Sequence, residues 1–334
     1  MNEEQLSPTD VPPEISVIIV SWNASGYLEK CLESLSSGIA HTYEVIVVDN
    51  NSSDDSPTMV INKYPWVKLI QTGANLGFSK GNNIGIKSSL GKYVALINSD
   101  ALALPGCLDA LSQFLGDHPD VGMVGPRVMY GDRSLQSSCR RFPTLWNNAC
   151  EVFLLNRLFP RIEFFAGEHM FYFSYDCTCE VEVLVGCFIL ARRNAINEFG
   201  LLDEDFFFYG EDIDWSRRCW QSGWSVMFYP GAEAIHFCGG SSINNPVYFA
   251  VAQQTSGLQL WAKHRPRLAV AGLMVLLAWQ CCLRLLVAGL IFAFRLHRWK
   301  DPAMLSRIQI ARLKNLWAKR RLCFSDNISS PRRP

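Results

Sequence analysis

No secretory signal is readable at the start of this sequence. MNEEQLSPTDVPPE is acidic and proline-bearing, with neither a basic opening nor an apolar stretch behind it, so the body of the chain is expected in the cytoplasm. Paired cysteine spacing is missing too. The twelve cysteines stand singly in apolar segments such as VGCFIL and RRCWQ, and the close pairs, Cys177 with Cys179 and Cys281 with Cys282, have neither zinc-knuckle nor CxxC spacing. That speaks against a zinc module or disulfide scaffold and for buried, reduced thiols. Net charge is absent as well, but 31 basic and 31 acidic side chains are unevenly spread. From Lys263 onward there are 15 Lys and Arg against Asp301 and Asp326, which leaves 16 basic and 29 acidic residues before it. An acidic body therefore carries a basic tail that needs a partner. Nothing in a 334-residue, 49% hydrophobic composition points to disorder.

What is present is a recurring βα pattern. ISVIIVSW from Ile15 is an almost unbroken apolar run rich in β-branched residues, which suits a strand buried on both faces. Ser25 then offers a cap, and Leu28, Cys31, Leu32 and Leu35 fall at helical spacing, so an amphipathic helix is predicted that ends near Gly38. Strands recur at YEVIVVDN from Tyr43, VKLIQT from Val67 and YVALINSD from Tyr93. Repeated βα units imply a mostly parallel sheet with right-handed crossovers. Pro105 opens a helix whose Leu108, Leu111, Phe114 and Leu115 face inward, and VGMVGPRVMY reads as a further strand. Beyond Arg140 comes an aromatic-rich segment, and EVEVLVGCFILARR then reads as one unusually long strand from near Glu180. GEDIDWSRR starts an acidic helix, followed by a strand and, in AIHFCGG, a loop carrying His236.

In an open parallel sheet, ligands bind beyond the carboxyl ends of the strands. Asp49 ends one such strand and Asp100 another. Either alone serves as well for a turn or a helix cap, but two at one edge favour a site. In INSDA, Asn98 and Asp100 are two apart and face one side, which suits a hard divalent cation that keeps positions open for a diphosphate. His236 is a candidate nitrogen ligand that favours Mn2+ alongside Mg2+, against the commoner reading of a lone structural histidine. Glu211, Asp212 and Asp214 lie at a helix start, where the dipole favours carboxylates without any catalytic duty. The functional reading makes one of them a general base toward an incoming hydroxyl. The three glycines of NLGFSKGNNIGI suit close backbone approach to a nucleotide, although the segment is neither a Walker loop nor GxGxxG.

In order, SVIIVSWN, VIVVDNNSSDDS, NLGFSKGNNIGI, ALINSDA, FFFYGEDIDWSRR and IHFCGGSS resemble the family-2 glycosyltransferases of the GT-A fold, and among them the bacterial rhamnosyltransferase-like branch. The resemblance runs from Ile15 to Ser242. It implies an α/β fold, a mostly parallel mixed sheet flanked by helices, and an inverting sugar transfer from a nucleoside diphosphate sugar with a divalent metal, Mg2+ or Mn2+. In that reading Asp49, Asn51, Asn98 and the Asn75 to Asn82 loop, with Gly77 and Lys80, contact the donor. Asp100 and His236 hold the metal, and Asp212, with Glu211 beside it, supplies the base. Asn98 stands where the usual Asp-x-Asp motif has its first acid, which removes one negative ligand. Two rival readings compete with this one. A sugar-phosphate nucleotidyltransferase would carry a glycine-rich basic signature after its first strand, which SWNASGY lacks. A membrane-bound sugar-nucleotide-binding protein without turnover is the other.

Leu268 to Phe294 is a 27-residue apolar stretch interrupted by Gln280 and Arg284. Both flanks are basic, so a single span would send Arg295, Arg298, Lys300 and the cluster Lys319 to Arg321 outward, against the positive-inside tendency. A helix or helical hairpin embedded from the cytoplasmic side and resting on anionic headgroups is therefore expected, the alternative being a helix buried in a homodimer interface. The expected domains are a flexible N-terminus (1–14), a glycosyltransferase domain (15–262) and a basic, apolar, membrane-associating region (263–334). Expected partners are the sugar donor, a lipid-linked or saccharide acceptor of cell-surface polysaccharide synthesis and the membrane surface, with no nucleic acid. The expected location is the cytoplasmic face of the bacterial inner membrane.

Overall fold

The computed structural model describes residues 12–36, 42–170, 172–238, 245–294 and 301–323. They belong to two compact units, the first built from residues 1–142, 173–207 and 211–241, the second from 143–172, 208–210 and 242–334. The first unit begins with β1 (Ile15–Ser21), α1 (Ser25–Ser36), β2 (Tyr43–Asp49), α2 (Ser56–Lys63), β3 (Lys68–Gln71), α3 (Phe78–Lys87) and β4 (Tyr93–Asn98). It continues with β5 (Ala101–Ala103), α4 (Cys107–Asp117), β6 (Val121–Met129) and β7 (Cys139–Arg140). The chain then forms α5 (Leu145–Val152) and α6 (Leu155–Leu158) of the second unit. It returns as β8 (Cys179–Glu180), β9 (Val183–Leu184), β10 (Phe188–Arg192), α7 (Arg193–Phe199), α8 (Glu211–Gln221) and β11 (Ser225–His236). The second unit takes up α9 (Pro246–His264), α10 (Arg267–Ala293) and α11 (Pro302–Lys319), followed by a 3-10 turn over Arg320–Cys323.

The main sheet has nine strands in the order β3-β2-β1-β4-β10-β6-β11-β5, with β8 pairing β11 off that path. β1, β2, β3, β4, β6 and β11 point the same way, while β10, β5 and β8 run against them. This is the mixed, mainly parallel sheet of an α/β fold. The unbroken apolar runs of β1 and β2 are buried because helices cover both faces. Leu28, Cys31, Leu32 and Leu35 of α1 are fully buried, as their helical spacing predicts.

Two expectations change. EVEVLVGCFILARR is not one long strand but three short ones with different partners: β8 pairs β11, β9 pairs β7 in a separate two-stranded sheet, and β10 runs antiparallel between β4 and β6. Each piece needs the same apolar residues, so the run conceals its own breaks. The glycines of α3 also have a different use. A Cβ on Gly85 would lie 2.3 Å from Ile18 Cγ2, and one on Gly81 would lie 2.9 Å from Val20 Cγ1. They let α3 lie against β1 rather than against a ligand. Gly85→Ala should therefore overpack this contact and lower stability by about 1–3 kcal/mol, read as a reduced denaturation midpoint. An unchanged midpoint would show that α3 shifts freely.

In the second unit, Leu258 and Trp261 of α9, Val270 and Leu273 of α10 and Leu316 of α11 form a separate apolar core. Among the described residues, α10 is the one helix long and apolar enough to cross a membrane. Much of its surface is left outside that core, with Leu268, Val275, Trp279 and Leu286 all more than half exposed. The basic flank Arg295 to Lys300 lies outside the described residues, as do residues 1–11 and the position of Gly38.

Candidate active site

Parallel register brings two of the expected residues to one sheet edge. Asp49 pairs with Ser21 at the end of β2, and Asn98 pairs with Val20 at the end of β4, so both border the carboxyl end of β1. Asp49 is buried. Its Oδ2 accepts the Ser52 N–H at 3.1 Å, while Oδ1 is buried with no partner among the described residues. A buried carboxylate oxygen in that state costs free energy until a donor meets it, and a ligand N–H or O–H arriving at the strand end fits it. Beside it, Asn50 Nδ2 donates to the Gly77 carbonyl at 3.0 Å, which ties the β2 end to the start of α3. Gly77 has φ 86°, and a Cβ there would sit 2.5 Å from the Phe207 carbonyl oxygen, so this turn requires glycine.

The remaining nucleotide candidates are arranged unevenly. Asn51 lies exposed in the left-handed region with φ 62°. Asn75 is exposed, and its Oδ1 accepts the Gly77 N–H at 3.0 Å. Lys80 is exposed in the first turn of α3. The stretch Asn75 to Asn82 is therefore a loop only as far as Gly77. Asn82 is buried within α3 and donates to the Phe78 carbonyl at 3.0 Å, so this amide group faces its own helix.

A tighter cluster forms around His236. This residue is the last of β11 rather than part of a following loop, and the antiparallel pairing of β11 with β5 sets it opposite Ala101, next to Asp100. Asp100 itself lies in the turn just after β4. His236 Nε2 is 3.1 Å from Asp100 Oδ1 and 3.4 Å from Asn98 Nδ2. On the other side of the ring, His236 Nδ1 is 3.0 Å from Gln136 Oε1, an acceptor that calls for a proton on Nδ1 and leaves the Nε2 lone pair toward Asp100. Ligands at 2.0–2.1 Å in octahedral geometry are separated by about 2.9 Å when adjacent, so an Nε2 to Oδ1 spacing of 3.1 Å suits one hard cation. Without a cation the pair is an ion pair. Burial opposes charge on His236, but Cys187 and Asp100 outweigh it and hold the imidazole above its ordinary range. The glycines after Cys238 lie outside the described residues.

The three acids of GEDID separate by environment. Asp214 is fully buried and bound by Arg218 Nε at 2.9 Å, four residues on, so it is a packing element. Glu211 is buried, and burial together with the neighbouring Asp212 charge holds its carboxyl well above the ordinary range. Asp212 alone is partly exposed. Its Oδ2 accepts the Gly186 N–H at 3.1 Å. Gly186 precedes Cys187, whose carbonyl accepts the Asn98 N–H at 3.0 Å, so one turn links Asp212 to the Asn98–Asp100–His236 cluster.

Glu211 gives a pH signature. The unfolded chain releases this proton near 4.5, while the folded chain keeps it to higher pH, so Glu211 detracts from stability increasingly as pH rises above that value. Glu211→Gln removes the effect. The difference in melting temperature, variant minus parent, should grow between pH 5 and 8; a flat difference would mean that the folded carboxyl titrates as an ordinary one.

Residues 16–181 match the family model described as glycosyl transferase family 2. The chain is also 30% identical over 260 residues, which cover 74% of it and 83% of the relative, to N-acetylglucosaminyl-diphospho-decaprenol L-rhamnosyltransferase of Mycobacterium tuberculosis. The chain belongs to glycosyl transferase family 2. A shorter likeness, 31% over 105 residues and 30% of this glycosyltransferase, links it to the GalNAc(5)-diNAcBac-PP-undecaprenol beta-1,3-glucosyltransferase of Campylobacter jejuni, of which it covers 34%. Among solved structures, the mannosyltransferase PcManGT from Pyrobaculum calidifontis, in complex with GDP-Man and Mn2+, superposes with a TM-score of 0.53 at 17% identity, over 95% of this chain and 91% of that one. GalNAc-T7 with UDP, GalNAc and Mn2+ gives 0.52 at 14% identity, over 76% and 51%. These likenesses carry the GT-A fold, and both neighbours were solved with a divalent metal.

Gln136, Gly186 and Cys187 are the parts of this candidate site that sequence reasoning missed. Gln136 is 100 residues from its histidine, and Gly186 acts through its backbone. Neither position carries a motif.

Proposed function

We propose that this glycosyltransferase moves a sugar, by analogy with its mycobacterial relative rhamnose, from a nucleoside diphosphate onto a hydroxyl of a lipid-linked saccharide, with inversion. The observation that carries the reading is the convergence of Asp100, Asn98 and His236 at one sheet edge, with Asp212 joined to them through Gly186 and Cys187. Asp49 and the Asn50–Gly77 turn receive the nucleoside, the unpartnered Asp49 Oδ1 accepting from it. Asp100 and His236 are the residues that would hold a divalent cation, which when bound neutralises charge on the leaving diphosphate. Asp212 takes the proton from the acceptor hydroxyl as the new bond to the sugar forms and the bond to diphosphate breaks. Glu211, buried beside it, is less open to an arriving hydroxyl than the partly exposed Asp212. Residues 15–262 serve donor and acceptor, and residues 263–334 associate with the cytoplasmic face of the inner membrane, where a lipid-linked acceptor resides. The relative's name supports that acceptor class, since it denotes transfer to a diphospho-decaprenol-linked sugar.

The test is thermal unfolding of the purified full chain with each nucleoside diphosphate and its sugars, with and without Mn2+. A ligand at 100 times its Kd stabilises by about 2.7 kcal/mol, so one nucleotide should raise the melting temperature and do so only with metal. No shift with any nucleotide would sink the donor-site reading.

A further inference from the structure

Residues 143–172 are wholly part of the second unit, and they expose an unusual set of side chains for a link between strands. Trp146, Phe153, Leu158, Phe159, Ile162 and Phe164 are between 42% and 67% exposed. The rings are nonetheless ordered among themselves. Trp146 lies 4.8 Å from Phe164 and 6.2 Å from Phe165, centroid to centroid, and Phe165 lies 5.2 Å from Phe159. The Trp146 indole N–H donates to the Phe164 carbonyl at 2.8 Å, so the only polar atom of that ring is already bound. A pre-formed aromatic cluster facing outward is the kind of contiguous apolar patch that marks a binding surface.

Two observations indicate what covers it. The first is the kind of side chain among the rings: Arg157 and Arg161 are exposed within the aromatic run, while Glu151 and Glu163 leave residues 145–165 with two bases against two acids. The second is continuity. α5 packs on α10, where Leu145 methyls lie 3.5 Å from a Cβ built on Gly272, and α10 carries the exposed Val275, Trp279 and Leu286. Ring cluster and apolar helix thus belong to one packed unit. Aromatic rings concentrate at the headgroup level of bilayers, and arginines beside them meet anionic lipid.

We propose that α5, α6 and residues 159–165 form a second membrane contact, the ring cluster entering the headgroup layer of an anionic bilayer while Arg157 and Arg161 meet lipid phosphates. This rests on the membrane reading of α10, and the experiment separates the two. The full chain is bound to vesicles of phosphatidylglycerol and phosphatidylethanolamine, with or without bromine on the acyl chains, which quenches nearby tryptophan emission. The emission of Trp146 is the difference between parent and Trp146→Phe, and that of Trp279 on α10 is the difference between parent and Trp279→Phe. Loss of both emissions in brominated vesicles is expected. Quenching of Trp279 with Trp146 untouched would overturn the proposal and leave α10 at the membrane. If neither is quenched, both readings fail. Phe164→Trp, which adds an emitter to the same cluster, gives the same readout should Trp146→Phe not fold.

Discussion

Asp212→Asn is expected to bind the donor nucleotide like the parent and to lose sugar transfer by about 10²- to 10⁴-fold, the range a positioned general base contributes. The exchange keeps the side chain's size and one oxygen, so the Gly186 N–H at 3.1 Å still has an acceptor. The other oxygen accepts the Ile213 N–H at 2.9 Å, and losing that single bond costs roughly 1 kcal/mol of stability, too little to unfold the domain. What the amide cannot do is take a proton. Its neighbours are placed differently: Asp214 is fully buried and held by Arg218, and Glu211 is buried with its carboxyl held above the ordinary range. Single-turnover transfer measured beside donor affinity decides the point. Transfer at the parent rate would remove Asp212 from the chemistry. Donor binding lost together with transfer would make it part of the donor site instead. A binding protein without turnover, the rival from another class, would show no transfer in the parent either.

The parts of this site that the sequence reveals are those where a local pattern and a global one coincide. Asp49 and Asn98 stand out because a buried parallel strand is an unbroken apolar run, and the residue that ends the run must face the ligand edge. His236 is legible as a residue type but not in its place: it closes β11 opposite Ala101, and only strand pairing across more than 130 residues brings it to Asp100. Gln136 and the Gly186 N–H leave no trace, since one is an ordinary polar side chain in a hairpin and the other is backbone. The glycines of α3 mislead for a physical reason. Absence of a Cβ permits any close approach, and here the partners are Ile18 and Val20. The break-up of EVEVLVGCFILARR is hidden in the same way, because apolar residues satisfy three different sheet neighbours equally well. The acids of GEDID look alike on paper and part company through burial, a property of the fold.

Asp100→Ala and His236→Ala should each abolish the metal-dependent share of nucleotide stabilisation, read against each variant's own metal-free melting temperature. Asp100 is a turn residue with a partly exposed side chain, and the bond from the Phe237 N–H goes to its backbone carbonyl, which alanine keeps. Removing His236 leaves the Gln136 carboxamide oxygen without the ring N–H, a cost of about 1–3 kcal/mol that a domain of this size tolerates. In the parent, saturating nucleotide with Mn2+ gives the stabilisation described above, and a few kcal/mol corresponds to several degrees in a domain of this length. Gln136→Leu separates coordination from support. It keeps both metal donors and removes the nearer of two groups at Nδ1, the other being Cys238 Sγ at 3.3 Å, so Mn2+ affinity should fall by about 10–100-fold without vanishing, as loss of such a supporting partner does elsewhere. Spin resonance of free Mn2+ measures that affinity directly, apart from any turnover. If both alanine variants keep the Mn2+ response, the cation lies elsewhere, and the short spacing of His236 and Asp100 is an ion pair that serves the fold alone.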